Sequence, residues 1–317
     1  MSTYATGGGC TNSDGNTAHL YSQRLSHVAG DRDKTNDMFV YGELDGQQHV
    51  IYFGGDVQNY PENMEGNNAR YVEWNTENTA QLLHHKFPKS LVFVVKPKEM
   101  RLKTLSVYSN FVESNDFGVP THDAAYGAAK HLSLLYKSAC GIVADSVHEE
   151  KPSVAQDVNQ SCTKENDEST NNKLASDNIP ISIIGFSKGC VVLNQLVYEI
   201  PYAIQYDPEV KQFFSKVKTL FWLDGGHNGG DVTMSNQHAY ITEPYLVTSL
   251  VKQGFHISVH VTPYQVRDPL RPWLGKQYKR FCKLLRSSQA SLTIQEHFEQ
   301  EPGSLENHFK ILEMFQT

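Results

Sequence analysis

The stretch Ile181–Gly189 reads ISIIGFSKG, a run of buried-strand residues closed by Gly185-Phe186-Ser187-Lys188-Gly189, and the helical pattern CVVLNQLVYEI follows at once. This order, strand then sharp turn then helix with a serine at the turn, is the grammar of a nucleophile elbow. The turn lifts the serine above the carboxyl end of a sheet, and Gly185 and Gly189 flank it because side chains there would collide with neighbouring backbone. Leu91–Val95, a short continuous apolar run ended by Pro97, predicts a strand buried on both faces, as in a parallel sheet covered by helices.

The rest of the chain repeats that alternation. His49–Phe53 (HVIYF) predicts a strand ending in Gly54-Gly55-Asp56, and Glu73–Phe87 carries apolar residues at helical spacing and stops before Pro88. Further strands are predicted at Leu91–Val95, Ile181–Ile184, Thr219–Leu223, His256–Val261 and Ser291–Gln295, with helices at His122–Ala139 and Trp273–Leu285. The fold class expected is therefore α/β, a doubly wound, mainly parallel sheet of the α/β-hydrolase kind. Residues 1–45 read as a polar, disordered lead, 46–317 as a single domain, and the Asp-, Asn-, Ser- and Lys-rich stretch at about 145–178 as a disordered insertion that could bind a protein partner. The Asn159-Gln160-Ser161 acceptor pattern inside it is read as chance.

Composition narrows the partners. A net charge of -7 supplies no basic field for nucleic acid, and no run approaches the ~20 apolar residues of a membrane span. Five widely spaced cysteines without a Cys-x-x-Cys pair fit a reducing compartment and argue against a disulfide framework. Neither a cofactor motif nor a metal-ligand spacing is present, so none is expected; Cys190 reads as an inward-packing thiol.

Serine chemistry requires a base to take the hydroxyl proton and an acid to hold the base. With Ser187 as nucleophile, the order Ser, acid, His offers Asp268 in HVTPYQVRDP or Asp224 in FWLDGGH as the acid, with Asp268 preferred, and His308 in LENHF or His297 in EHFEQ as the base, with His308 preferred. The oxyanion donors expected are the backbone N–H of Lys188 and those of Gly55 and Asp56. Asn59, Tyr60, Tyr108, Phe111, Trp222, Tyr264 and Trp273 are candidates to line an apolar pocket or to pack the core. The expectation is an esterase- or lipase-like hydrolase of a small-molecule or lipid ester. The alternative is a catalytically silent hydrolase fold that acts as a binding or regulatory protein.

YFGGDVQNY, IGFSKGCVVLNQL, WLDGGH, HVTPYQVRDP and ENHF, in that order, resemble the chromosome-2-open-reading-frame-69 family. The resemblance implies an α/β-hydrolase-like fold and a mitochondrial location, and it carries over Gly185, Ser187, Gly189, Asp224, Asp268 and His308. The first 36 residues contain no convincing transit peptide, so a cytoplasmic location is the alternative expectation.

Overall fold

Beyond the carboxyl ends of four adjacent parallel strands, the chain turns at one common edge, and the sheet register sets that edge. The computed structural model describes residues 20–115, 119–149, 178–227 and 238–317. Among these, eight strands form the central sheet: β1 (Tyr21–Ala29), β2 (Thr35–Gly42), β3 (Gln48–Phe53), β4 (Ser90–Val95), β5 (Ile181–Phe186), β6 (Val217–Leu223), β7 (His256–Val261) and β8 (Ser291–Glu296). Their order across the sheet is β1-β2-β4-β3-β5-β6-β7-β8, with β1 and β2 antiparallel to their neighbours and all other pairs parallel. This is the α/β-hydrolase arrangement, and the expectation of fold class holds.

Phe53 lies opposite Gly185, Leu223 opposite Phe186 and His260, and Val261 opposite Glu296. The loops after β3, β5, β6 and β7 therefore leave the sheet side by side, where ligands of open α/β sheets bind.

One face of the sheet is covered by α2 (Ala128–Glu149), α3 (Cys190–Tyr206), α4 (Pro208–Lys216), α5 (Pro244–Val251) and α6 (Pro272–Ser287), around a core that includes Ile183, Leu196, Trp222 and Phe281. The other face carries α1 (Thr76–Lys86) and α7 (Leu305–Met314), packed through Leu83, Phe309 and Leu312 onto Val92, Ile184 and Phe221. Caps fix where these helices begin. Asn75 accepts from Glu77 and Asn78 N–H at the start of α1, and Ser304 Oγ accepts from Asn307 N–H at the start of α7. Helix α2 begins later than the pattern suggested. The buried Glu199 carboxylate of α3 collects the Gly127, Ala128 and Ala129 N–H groups, so its first turn is capped across helices and not by a local residue.

Two domain expectations change. Residues 21–42, placed in the polar lead, form β1 and β2. In β1 only Leu25 and Val28 are buried, so an exposed edge strand leaves almost no apolar alternation to read. Asp145–Glu149, placed in the insertion, continue α2. Residues 150–177, including Asn159-Gln160-Ser161, lie outside the described residues, as do 1–19. No helix among the described residues is long and apolar enough to cross a membrane.

Candidate active site

Ser187 follows the last residue of β5 and is 4% exposed, with φ +51°. Left-handed backbone at a residue with a Cβ costs of order 1–3 kcal/mol and persists where the surrounding packing enforces it. Here the packing is tight. A Cβ on Gly189 would lie 2.0 Å from Phe53 O, and one on Gly55 would lie 2.9 Å from Ser187 Cβ. The elbow is thus pressed against the end of β3, and neither glycine has room for a side chain. Cys190 Sγ donates to Gly185 O (3.1 Å) from inside the turn, and burial pushes its thiol well up, so it packs there as an inert group.

His308 and Asp224 form a buried pair. His308 occupies the first turn of α7, its N–H bonded to Ser304 O (3.0 Å), and the helix is anchored by Phe309 stacked on Trp74 with centroids 4.9 Å apart. Its Nδ1 lies 2.7 Å from Asp224 Oδ2. Asp224, at the tip of β6 with φ +49°, is fully buried and also accepts from Thr262 N–H (2.7 Å) and Thr262 Oγ1 (2.6 Å) at the end of β7. Three donors on one carboxylate fix its position. The His308 ring packs between Phe186, the residue before the serine (4.7 Å), and Tyr264 (4.8 Å).

The acid preferred from the sequence is placed elsewhere. Asp268 Oδ1 accepts from Leu270 N–H (2.8 Å) and Oδ2 from Arg271 Nε (2.6 Å), and the Arg271 guanidinium lowers its pKa. It is a turn acceptor, and it is Asp224 that meets His308. The alternative base, His297, points at His260, with Nε2 2.9 Å from His260 Nδ1. Gly55 is also otherwise engaged, since its N–H donates to Gln58 Oε1 (2.9 Å). The Asp56 carboxylate accepts from Ser106 N–H (2.7 Å), and burial pushes its pKa up while the nearby Lys188 ammonium opposes the shift. Lys188 is 5% exposed, and burial lowers its pKa. Of the aromatic candidates, Tyr108, Phe111 and Trp222 are core residues, Trp273 packs partly buried against that core, and Tyr264 faces His308. Tyr60 is stacked beneath Arg24 and Lys96, and Lys96 Nζ also donates to Asn59 Oδ1 (2.6 Å).

One residue in the site was not singled out from the sequence. His227 Nε2 is 3.4 Å from Ser187 Oγ and 3.9 Å from Asp56 Oδ2. The signal was the Gly225-Gly226 pair in FWLDGGH, which lets the chain pass close under the elbow and present the next side chain to it.

The C2orf69 family model matches residues 24–180 and 175–291 of the chain. The chain belongs to the C2orf69 family. Among the family's proteins, mitochondrial protein C2orf69 of Homo sapiens is 39% identical over 293 residues, covering 85% of this chain and 74% of that one. The mitochondrial protein C2orf69 homolog of Mus musculus is 36% identical over 321 residues, covering 92% and 86%. The mitochondrial location implied by the family resemblance agrees with the names of these relatives. Similar solved structures include esterase Est22 (TM-score 0.41, 13% identity, 92% of this chain and 75% of that one) and a dienelactone hydrolase from Anabaena variabilis (TM-score 0.42, 11% identity, 93% and 96%).

Proposed function

We propose that this C2orf69-family chain is a mitochondrial serine hydrolase that cleaves acyl esters of a small molecule or lipid through Ser187, His308 and Asp224. The observation that carries the reading is the buried His308–Asp224 pair, 2.7 Å apart, set at the sheet edge from which Ser187 projects. His308 suits the base better than His227 because Asp224 holds its Nδ1, which fixes the tautomer and leaves Nε2 to accept a proton.

In this reading Ser187 Oγ attacks the ester carbonyl as its proton passes to His308 Nε2. The tetrahedral intermediate expels the alcohol, which takes that proton. Water, deprotonated by the same imidazole, then releases the acid and restores Ser187. Asp224 stays ionised and stabilises the imidazolium formed between steps. Lys188 N–H, from the residue after the nucleophile, is the backbone donor to the oxyanion.

The test is labelling of the purified full chain with a serine-reactive fluorophosphonate. Labelling of the wild type that is lost in Ser187→Ala and His308→Ala supports the reading. A folded wild type that does not label overturns it, in favour of a silent hydrolase fold.

A further inference from the structure

An acyl-transfer site requires two donors aimed at the developing oxyanion, and of the two expected from the loop after β3, Asp56 N–H and Gly55 N–H, the latter is already taken. Gly55 N–H is bonded to Gln58 Oε1, and that side chain is itself locked. Gln58 Oε1 also accepts from Tyr52 Oη (2.7 Å), while Nε2 donates to Trp74 O (2.9 Å) and Thr79 Oγ1 (3.1 Å). Freeing Gly55 N–H would break a buried network with a partner on every arm.

A different donor stands at the serine. After Asp224 the chain passes the elbow so closely that a Cβ on Gly225 would lie 3.1 Å from Cys190 Sγ, and one on Gly226 would lie 2.0 Å from Gln265 Oε1. A side chain at Gly226 would displace the Gln265 amide and one at Gly225 would press on Cys190; with glycine at both, the chain passes close under the elbow and brings His227 to the site. Its Nε2 is 3.4 Å from Ser187 Oγ, so the oxygen of a carbonyl bonded to Oγ falls within its reach.

We propose that His227, through Nε2–H, is the side-chain donor of the oxyanion hole, acting beside Lys188 N–H in place of Gly55 N–H. The inference rests on the serine-hydrolase reading. Two features suit His227 to the role. The Asp56 carboxylate, 3.9 Å from the same nitrogen and held by Ser106 N–H, favours the tautomer with the proton on Nε2. Burial, with Lys188, His308 and Arg271 adding to it, pushes the imidazole pKa well below its ordinary 6.5, so the ring is neutral. A neutral imidazole donates a hydrogen bond without giving up the proton, and proton transfer stays with His308. His227 thus strengthens its bond as charge grows on the carbonyl oxygen, the condition for lowering the barrier rather than merely binding substrate.

The experiment compares wild type, His227→Ala and His227→Gln in the full chain, by steady-state hydrolysis of a short-chain p-nitrophenyl ester over pH 5–9, with Ser187→Ala as the blank. Loss of a side-chain oxyanion donor lowers kcat by roughly 100- to 1,000-fold. The expected result is a loss of that size in His227→Ala with KM nearly unchanged, partial recovery in His227→Gln, equal thermal midpoints, and an acid limb of the pH profile that persists in both variants. Long-range proton–nitrogen correlation of nitrogen-15-histidine protein, assigned with His227→Gln, should show a neutral Nε2–H ring from pH 5 to 8.

Undiminished kcat in His227→Ala, with Ser187→Ala inactive, overturns the donor role and leaves the hydrolase standing. A proton on Nδ1, or an acid limb abolished in both His227 variants, overturns it by making His227 the base. A wild type that neither labels nor turns over ester overturns both readings together.

Discussion

Replacing Asp224 by asparagine changes one atom and forces a conflict that can be worked through. The carboxylate receives three donors: Thr262 N–H on Oδ1, and Thr262 Oγ1 and His308 Nδ1 on Oδ2. An amide has one acceptor oxygen. If that oxygen takes the Oδ2 position, the new NH2 faces Thr262 N–H, and a buried donor left unpaired costs about 1–3 kcal/mol. If the oxygen takes the Oδ1 position, the NH2 faces His308, which must turn Nδ1 into an acceptor and carry its proton on Nε2. That tautomer cannot receive the Ser187 proton, and losses at such a position are on the order of 10,000-fold in kcat, or about 5 kcal/mol of barrier. A domain of ordinary stability, about 5–15 kcal/mol, survives the first cost and still folds. The assay is the second-order rate of fluorophosphonate labelling, with a thermal melt to establish folding and Asp268→Asn alongside. Asp224→Asn should label at a small fraction of the wild-type rate and Asp268→Asn within about twofold, because the Asp268 turn bonds touch neither Ser187 nor His308. Near-normal labelling of Asp224→Asn, or silence of Asp268→Asn, would refute the assignment of the acid.

Two further outcomes concern stability. Ser187→Gly removes the left-handed strain at φ +51° at the expense of some backbone freedom, so it should gain about 1 kcal/mol in urea unfolding while losing all labelling; an unchanged midpoint would show that the turn is unstrained. Acid should weaken the fold through neutral buried histidines: burial lowers His49 and His260 to about 3 and His122 and His131 to about 4. The unfolded chain takes up protons below pH 6.5 and the folded one does not, so their stabilisation is complete above 6.5 and declines toward pH 4, by up to about 1.4 kcal/mol per pH unit for each group. His122, fully buried with its ring stacked on Tyr198, is the one to replace: His122→Phe should reduce the loss between pH 7 and pH 5, and an identical loss would refute its part.

The inner sheet was legible because β3, β4, β5 and β7 are buried nearly end to end and bounded by glycine, proline or polar turns. β1 was not legible, since YSQRLSHVA exposes most of its length and carries no period. The serine was readable from local grammar, because an elbow is a contiguous feature. The acid was not, because Asp224 and Asp268 both follow strand ends in the right chain order, and only the packing of α7 across the sheet brings His308 to one of them. His227 sat inside a motif already noticed. Its role depends on Cys190 and Gln265 lying against two glycines, a tertiary fact that spacing does not encode.

The strand that ends at Ser187 begins near the place where residues 150–177 join the domain: Pro180 O binds His49 N–H at the opposite end of the sheet. Six residues of β5 separate the two ends by about 20 Å. A replacement of residues 150–177 by a short linker alters the chain at an attachment point about six strand residues from Ser187, and comparing its phenotype with that of Ser187→Ala separates what the segment does from what the serine does.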